Sequence, residues 1–439
     1  MLEPRHAALR TRPQALSAAP EDRFDTMQAR TAAFAAHSPL WTATLLSLGS
    51  AISLGISRFS AGLVLPIMRE DLGWTYLMAG AMNTSNAIGY LLGALTVPTL
   101  LRRFGARPVA TGGALSAGIF MMLAGMVTDT DLLLSQRALG GIASAYLFVA
   151  GGVLSARLSL LHPRQAGLIL GMYSSGTGLG ITASALMVPA TMEIATANGS
   201  RHTWQWAWLL LGAMCVAMTP IVSFAALGID GALAKGESSA APKMVGTLPW
   251  NLLWRGFASY FMFGAGYIGY ITYISILLNG EKFSVTLITM FYIFLGVSVI
   301  LSSRVWAGTI DRFKGGETMS VLCASLGVAT LLPVLSLQPI VVLISGLMFG
   351  AMVQAVVASS TALVRHNLPP SAWPAGISAF TIVFAVGQIL GPTAVGWIAD
   401  SSGGLQRGLV FSALALFAGA LLASSQRPLP YASKQPTAA

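Results

Sequence analysis

Arg58 is the residue with the clearest chemistry, because it interrupts an apolar run over 41–68 about two-thirds of the way along. A guanidinium near the centre of a bilayer costs from about 3 to more than 10 kcal/mol unless it finds a partner or water. At helical spacing its neighbours are Ala51, Gly55, Ala61 and Gly62, with Leu54 the one bulky exception. Such a face has room for a cavity. A guanidinium lining a cavity can grip a carboxylate or another oxyanion with two parallel hydrogen bonds. The competing roles are structural: bonding backbone carbonyls, or snorkelling outward. Arg137 opens the run 132–156, where snorkelling and helix packing explain it as readily as ligand contact.

Other polar groups fall in the same kind of surroundings. Tyr260, Tyr267 and Tyr270 share one broad helical face of the run 253–278, with Gly264, Gly266 and Gly269 among them. Phenol rings there can pack a ligand and hydrogen-bond it, or simply pack helices together. Asn83, Thr84, Ser85 and Asn86 open a polar window in 77–101, and Gln354 interrupts 339–363. Interhelical hydrogen bonding and ligand contact are both open to them. Gly176 and Gly180, like Gly387 and Gly391, are spaced for close helix crossings, and Pro392 lets its helix bend.

Several chemistries are excluded. No GxxxxGK[ST] loop is present, and Gly176-Thr-Gly-Leu-Gly180 lies in an apolar run without a βαβ context. The five histidines fall in tails or loops, and no Asp or Glu lies deep in an apolar run; Glu193 and Asp400 come nearest, at run ends. No Ser/His/Asp or HExxH arrangement suggests an enzyme. Cys215 and Cys323 are expected as buried small hydrophobes, so neither metal nor cofactor is anticipated.

The elements that must position these residues follow from composition. The 439 residues are 55% hydrophobic and 9% charged, against about 25% charged in a soluble domain. Twelve runs are long enough to span a bilayer, near 41–68, 77–101, 107–127, 132–156, 166–189, 204–228, 253–278, 285–308, 318–337, 339–363, 374–399 and 407–425. In lipid each must be helical to satisfy its own backbone. The expected fold is an all-α membrane protein of two six-helix halves, 39–228 and 253–426. Small and polar residues make 229–252 a linker, and 1–38 and 427–439 are expected as tails. With the N-terminus inside, nineteen of the 25 Lys and Arg fall on the cytoplasmic side. That bias sets the topology in a bacterial inner membrane, with both termini cytoplasmic. The net charge of +10 is scattered rather than striped, which argues against nucleic acid.

The halves echo each other: Arg103-Phe104 and Arg312-Phe313 follow their second helices, and Arg157 and Arg365 end their fourth. Asp311-Arg-Phe, preceded by Arg304 and Gly308, resembles the loop motif between spans 8 and 9 of the major facilitator superfamily. Arg137-Ala-Leu-Gly-Gly-Ile-Ala-Ser-Ala145 resembles its span-4 motif, and Gly387 through Asp400 its span-11 pattern. Gly55-Ile-Ser-Arg-Phe59 with Leu65-Pro-Ile-Met68, and Gly264-Ala-Gly-Tyr-Ile268, look like the YbfB/YjiJ-type branch. The chain departs from the superfamily in carrying Arg102 where the loop between spans 2 and 3 usually has Asp.

The resemblance implies a monomeric secondary transporter in which the halves rock around a central site. The expected cargo is a small organic anion, moved alone, with a co-ion or by exchange. Arg58, Tyr267, Tyr270, Asn86, Gln354 and Arg137 are the expected binding residues. Asp311, Arg312, Arg304, Gly387, Gly391 and Pro392 are the expected gating residues, with Asp311 docking near Gln165 and Ala166 when the outside is open. Efflux of neutral or amphipathic compounds, and a transporter-like sensor that moves nothing, are the alternatives.

Overall fold

A computed structural model describes residues 37–233, 250–401 and 404–429. It contains twelve long helices: α1 (Pro39–Asp71), α2 (Tyr76–Phe104), α3 (Ala106–Ala124), α4 (Thr130–Leu161), α5 (Ala166–Ala197), α6 (Thr203–Leu233), α7 (Trp250–Gly280), α8 (Val285–Arg312), α9 (Glu317–Leu335), α10 (Pro339–Asn367), α11 (Trp373–Ala399) and α12 (Gly404–Ser424). Most of the expected linker, and most of both tails, lies outside the described residues. His366, expected in a loop, sits in the last turn of α10.

Ten of the twelve helices are long and apolar enough to cross a membrane. The other two are α2, diluted by its Asn83–Asn86 window and by Arg102 and Arg103, and α3, rich in Gly and Ala. Short connections end in side-chain caps that satisfy the first free N–H groups of the next helix. Thr75 accepts from Met78 N, Asp129 from Leu132 N and Ser284 from Leu287 N. Gly105, at φ +82°, turns the chain sharply between α2 and α3.

α1 and α7 are the innermost helices, with 89% of their most apolar windows buried, against 39–56% in the other spans. Leu160, Leu335, Trp397 and Leu421 stand exposed on the outside, as lipid-facing residues do. Within α1, residues Ala51–Phe59 wind as a π-helix between two α-helical stretches. Across the halves α1 packs on α7, α2 on α11 and α5 on α8. Small residues allow these crossings: a Cβ on Gly178 would lie 2.2 Å from the carbonyl oxygen of Gly296.

The bundle has two ends. At one, the turns α1–α2, α3–α4 and α5–α6 are tied together by Trp74 to Thr130 (3.1 Å) and by Asp71 to His202 (2.6 Å). The other carries the boundary of the linker, where Arg157 pairs with Asp230 at 2.9 Å and Gly316 N donates to Gln426 O. These are called the turn end and the linker end.

Candidate functional site: a central cavity and two gates

Arg58 is 4% exposed and stands between the halves at the end of the π segment. Its Nε donates to Asn86 Oδ1 of α2 at 3.4 Å. Its Nη1 donates to Gln388 Oε1 of α11 at 3.0 Å and reaches Tyr267 Oη of α7 at 3.5 Å. Gln388 Nε2 in turn donates to Tyr267 Oη. The guanidinium carbon lies 4.6 Å from the centre of the Tyr90 ring. All these partners are neutral, and no carboxylate among the described residues pairs with Arg58. Its Nη2 is buried without any hydrogen-bond partner.

Arg58 lines a cavity of about 100 Å³ with Leu54, Tyr90, Phe148, Tyr260, Tyr267 and Phe384, and Gln354 lines it too. Gln354 Nε2 is held by Thr177 Oγ1 at 3.2 Å, a hydroxyl that also meets Ser50 Oγ at 2.8 Å. The structure thus brings Arg58, Asn86, Tyr267 and Gln354 together. Tyr270 lies elsewhere: it stacks on Phe349 at 4.3 Å, with its hydroxyl 2.5 Å from Ser345 Oγ. One helical turn past Tyr267 carries it into the packing of the second half.

Arg137 is also outside the cavity lining. Its Nη1 donates to the carbonyl of Ser57 at 2.8 Å, its Nη2 approaches Asn83 Oδ1 at 3.4 Å, and its guanidinium lies over Trp208 at 5.3 Å. It therefore props the π segment from behind and fixes the backbone next to Arg58. Asn86 joins the two arginines, donating to the carbonyl of Arg137 at 3.1 Å. The small face of α1 serves packing rather than the cavity. A Cβ on Gly55 would fall 2.5 Å from Thr177 O, and one on Gly62 2.9 Å from Ile271 O.

Gln388, Tyr90 and Phe384 were not among the expected site residues. Gln388 carried the signal already used for Gln354, a lone amide in an apolar run. Phe384 precedes it by one helical turn, and Tyr90 follows Asn86 by one, so each shares a face with a polar site residue.

The hydrogen bonds joining the halves gather toward the turn end. Asp400, at the end of α11, accepts from Tyr76 N (2.8 Å) and Leu77 N (2.9 Å), the first N–H groups of α2. A carboxylate is favoured there by the free N–H groups and the helix dipole. The Tyr273 hydroxyl of α7 lies 2.8 Å from Tyr76 O and 2.9 Å from Pro392 O. Asn83 donates to Thr272 at 2.8 Å, and Thr84 meets Thr393 at 3.0 Å. The backbones touch here: a Cβ on Gly80 would lie 2.7 Å from Pro392 O.

Asp311, Arg304 and Arg312 sit exposed at the linker end. Asp311 forms no hydrogen bond or ion pair among the described residues, and Arg312 lies 5.7 Å from the Phe313 ring. Gly387 and Gly391 pack α11 against α7, where a Cβ on either would fall 2.3 Å from a carbonyl oxygen, of Phe261 and Ala265 respectively.

This fold and its cavity between two six-helix halves are those of a major facilitator transporter. Residues 50–424 match the family described as uncharacterised MFS-type transporter YbfB, and the chain belongs to that family. It is 28% identical over 225 residues to a probable multidrug-efflux transporter of Mycobacterium tuberculosis, a match covering 50% of this chain and 44% of that one. The chain thus spans less than half the length of that relative. It is 24% identical over 403 residues to a putative tartrate transporter of Agrobacterium vitis, covering 84% of this chain and 85% of the other. Its fold resembles the nucleoside transporter NupG, with a TM-score of 0.63 at 14% identity, covering 88% of this chain and 97% of that one.

Proposed function

We propose that this transporter carries a small organic anion across the bacterial inner membrane by alternating access, with Arg58 as the anion grip. The buried, unpartnered Nη2 of Arg58 carries this reading. A guanidinium surrounded by neutral groups in low dielectric lacks a counter-charge, and a ligand carboxylate supplies one. The match along most of the chain to a putative tartrate transporter supports an anionic cargo. The charge bias favours a cytoplasmic linker end, and with that orientation the described conformation would seal the outer face. Among the described residues no carboxylate lines the cavity to serve as a proton carrier beside Arg58. An anion moving alone would be driven outward by about 2.3 kcal/mol per 100 mV of inside-negative potential, so uptake would require exchange or a co-ion.

The test is flux of organic anions in proteoliposomes. Arg58→Met should abolish it in protein that still folds. Arg58→Lys should weaken binding by roughly 30-fold or more, since an ammonium cannot donate two parallel bonds. Normal anion flux through stable Arg58→Met would refute the reading. It would favour efflux of neutral or amphipathic compounds, which the aromatic lining and the multidrug-efflux relative also support.

A further inference from the structure

Resting on the anion reading of the same cavity, we infer that the preferred cargo is a flat aromatic monocarboxylate. The wall beside Arg58 is a ladder of nearly parallel rings from α7 and α11. Tyr260 and Phe384 stack at 4.8 Å and 22°, and Tyr267 and Phe384 at 5.5 Å and 13°. Phe263 joins them at 5.0 Å from Tyr267 and 5.4 Å from Phe384, at 22° and 14°. Phe384 is the ring of this ladder that keeps part of its surface uncovered, and Phe148 across the cavity is also only partly buried. A planar ring sliding in parallel to these planes extends the stack, whereas a saturated ring of the same carbon count is too thick to keep that spacing.

Charge and size narrow the class further. Among the described residues Arg58 is the one ionisable cation lining the cavity, because Arg137 is turned to the Ser57 carbonyl behind the π segment. The site therefore neutralises one carboxylate, at the end of the ladder where Tyr267 meets Arg58 and Gln388. A dianion rich in hydroxyls, such as tartrate, would leave its second charge against aromatic carbon. The cavity, at about 100 Å³, is of the order of the roughly 150 Å³ apolar cavities that take up a benzene ring. At the far side Gln354 offers a polar contact for a ring substituent.

Four probes separate this inference from the reading beneath it: benzoate, cyclohexanecarboxylate, tartrate and benzamide, titrated into the purified protein at neutral pH by calorimetry. Benzoate should bind about tenfold or more tighter than each of the others. Phe384→Leu should weaken benzoate binding more than cyclohexanecarboxylate binding, so that the ratio between the two falls to about one. Equal binding of benzoate and cyclohexanecarboxylate, or tighter binding of tartrate, would overturn the aromatic class yet leave the anion grip standing. Benzamide matching benzoate would overturn the grip itself. Failure of all four to bind at tens of millimolar, in protein with an intact melting transition, would also overturn the aromatic class. The probe series on the unmodified protein decides even if Phe384→Leu does not fold.

Discussion

The turn end and the linker end each carry a carboxylate at the foot of a helix of the second half, and the two are in opposite conditions. Asp400, at the end of α11, is clamped on the first two N–H groups of α2, across the boundary between the halves. Asp311, near the end of α8, is exposed and makes no hydrogen bond or ion pair among the described residues, feeling only the charge of nearby groups such as His366. The same chemistry is thus satisfied at one end and available at the other. On the alternating-access proposal, the expectation is that whichever carboxylate is docked favours closure of its own end.

The strongest challenge to this comparison is steric. Gly80→Val places methyl groups where the Pro392 carbonyl now sits, so the turn end should no longer close. Overpacking of about 1–3 kcal/mol corresponds to roughly 5- to 150-fold, and flux should fall by at least about fivefold. Spin labels at Asp131 and Ser401, on opposite halves of the turn end, should move apart. An unchanged distance with normal flux would remove the basis for calling that end sealed.

Electrostatics provides the next test. A carboxylate at a helix N-terminus is worth about 0.3–1 kcal/mol, and up to about 2 when partly buried. Asp400→Asn should therefore shift the population toward an open turn end by up to about 30-fold, seen as a longer 131–401 distance. Asp311→Asn should leave that distance alone in the same state while impairing flux. If both variants open the turn end equally, the contrast between the two carboxylates collapses. Tyr273→Phe removes a single hydroxyl and should loosen the same end by about 1 kcal/mol, or roughly fivefold. The smallest effect belongs to Arg102→Gln. Arg102 is exposed and, among the described residues, hydrogen-bonds only Thr99 of its own helix at 3.4 Å, so flux and distance should both stay near wild type.

The helices were legible because a bilayer leaves the backbone no other choice, and twelve apolar runs gave twelve helices with ends moved by a few residues. Arg58 was legible for the same reason, since a charge in an apolar run demands an explanation. What α1 does with its small residues was not. Gly55 and Gly62 signal close approach by something, but whether that is a ligand or another helix depends on partners more than a hundred residues away, Thr177 and Ile271. Tyr270 lies outside the cavity lining because a helical face broad enough for three tyrosines turns far enough to leave it. Asp400 stood out as an acid close to a run, but its partner begins 324 residues earlier. Such a contact belongs to one conformation of the halves, which no local pattern encodes.

The π-helical stretch of α1 has a genetic reading as well as a mechanical one. A π-helix accommodates more residues per turn than the α-helix on either side, so Ala51–Phe59 behaves like an insertion tolerated inside a span. Removing one residue there, for instance Ser53, would let the stretch rewind as ordinary α-helix. The flanking α-helical parts would keep most of their facing, because the wide turns had absorbed the extra residue, while the residues inside the stretch would change theirs. Arg58 and the Ser57 carbonyl lie inside it and could not both keep their present neighbours. Single-residue deletions should therefore be tolerated far less within Ala51–Phe59 than at the exposed ends of α1, and a deletion scan of this helix would trace the site without any substrate in hand.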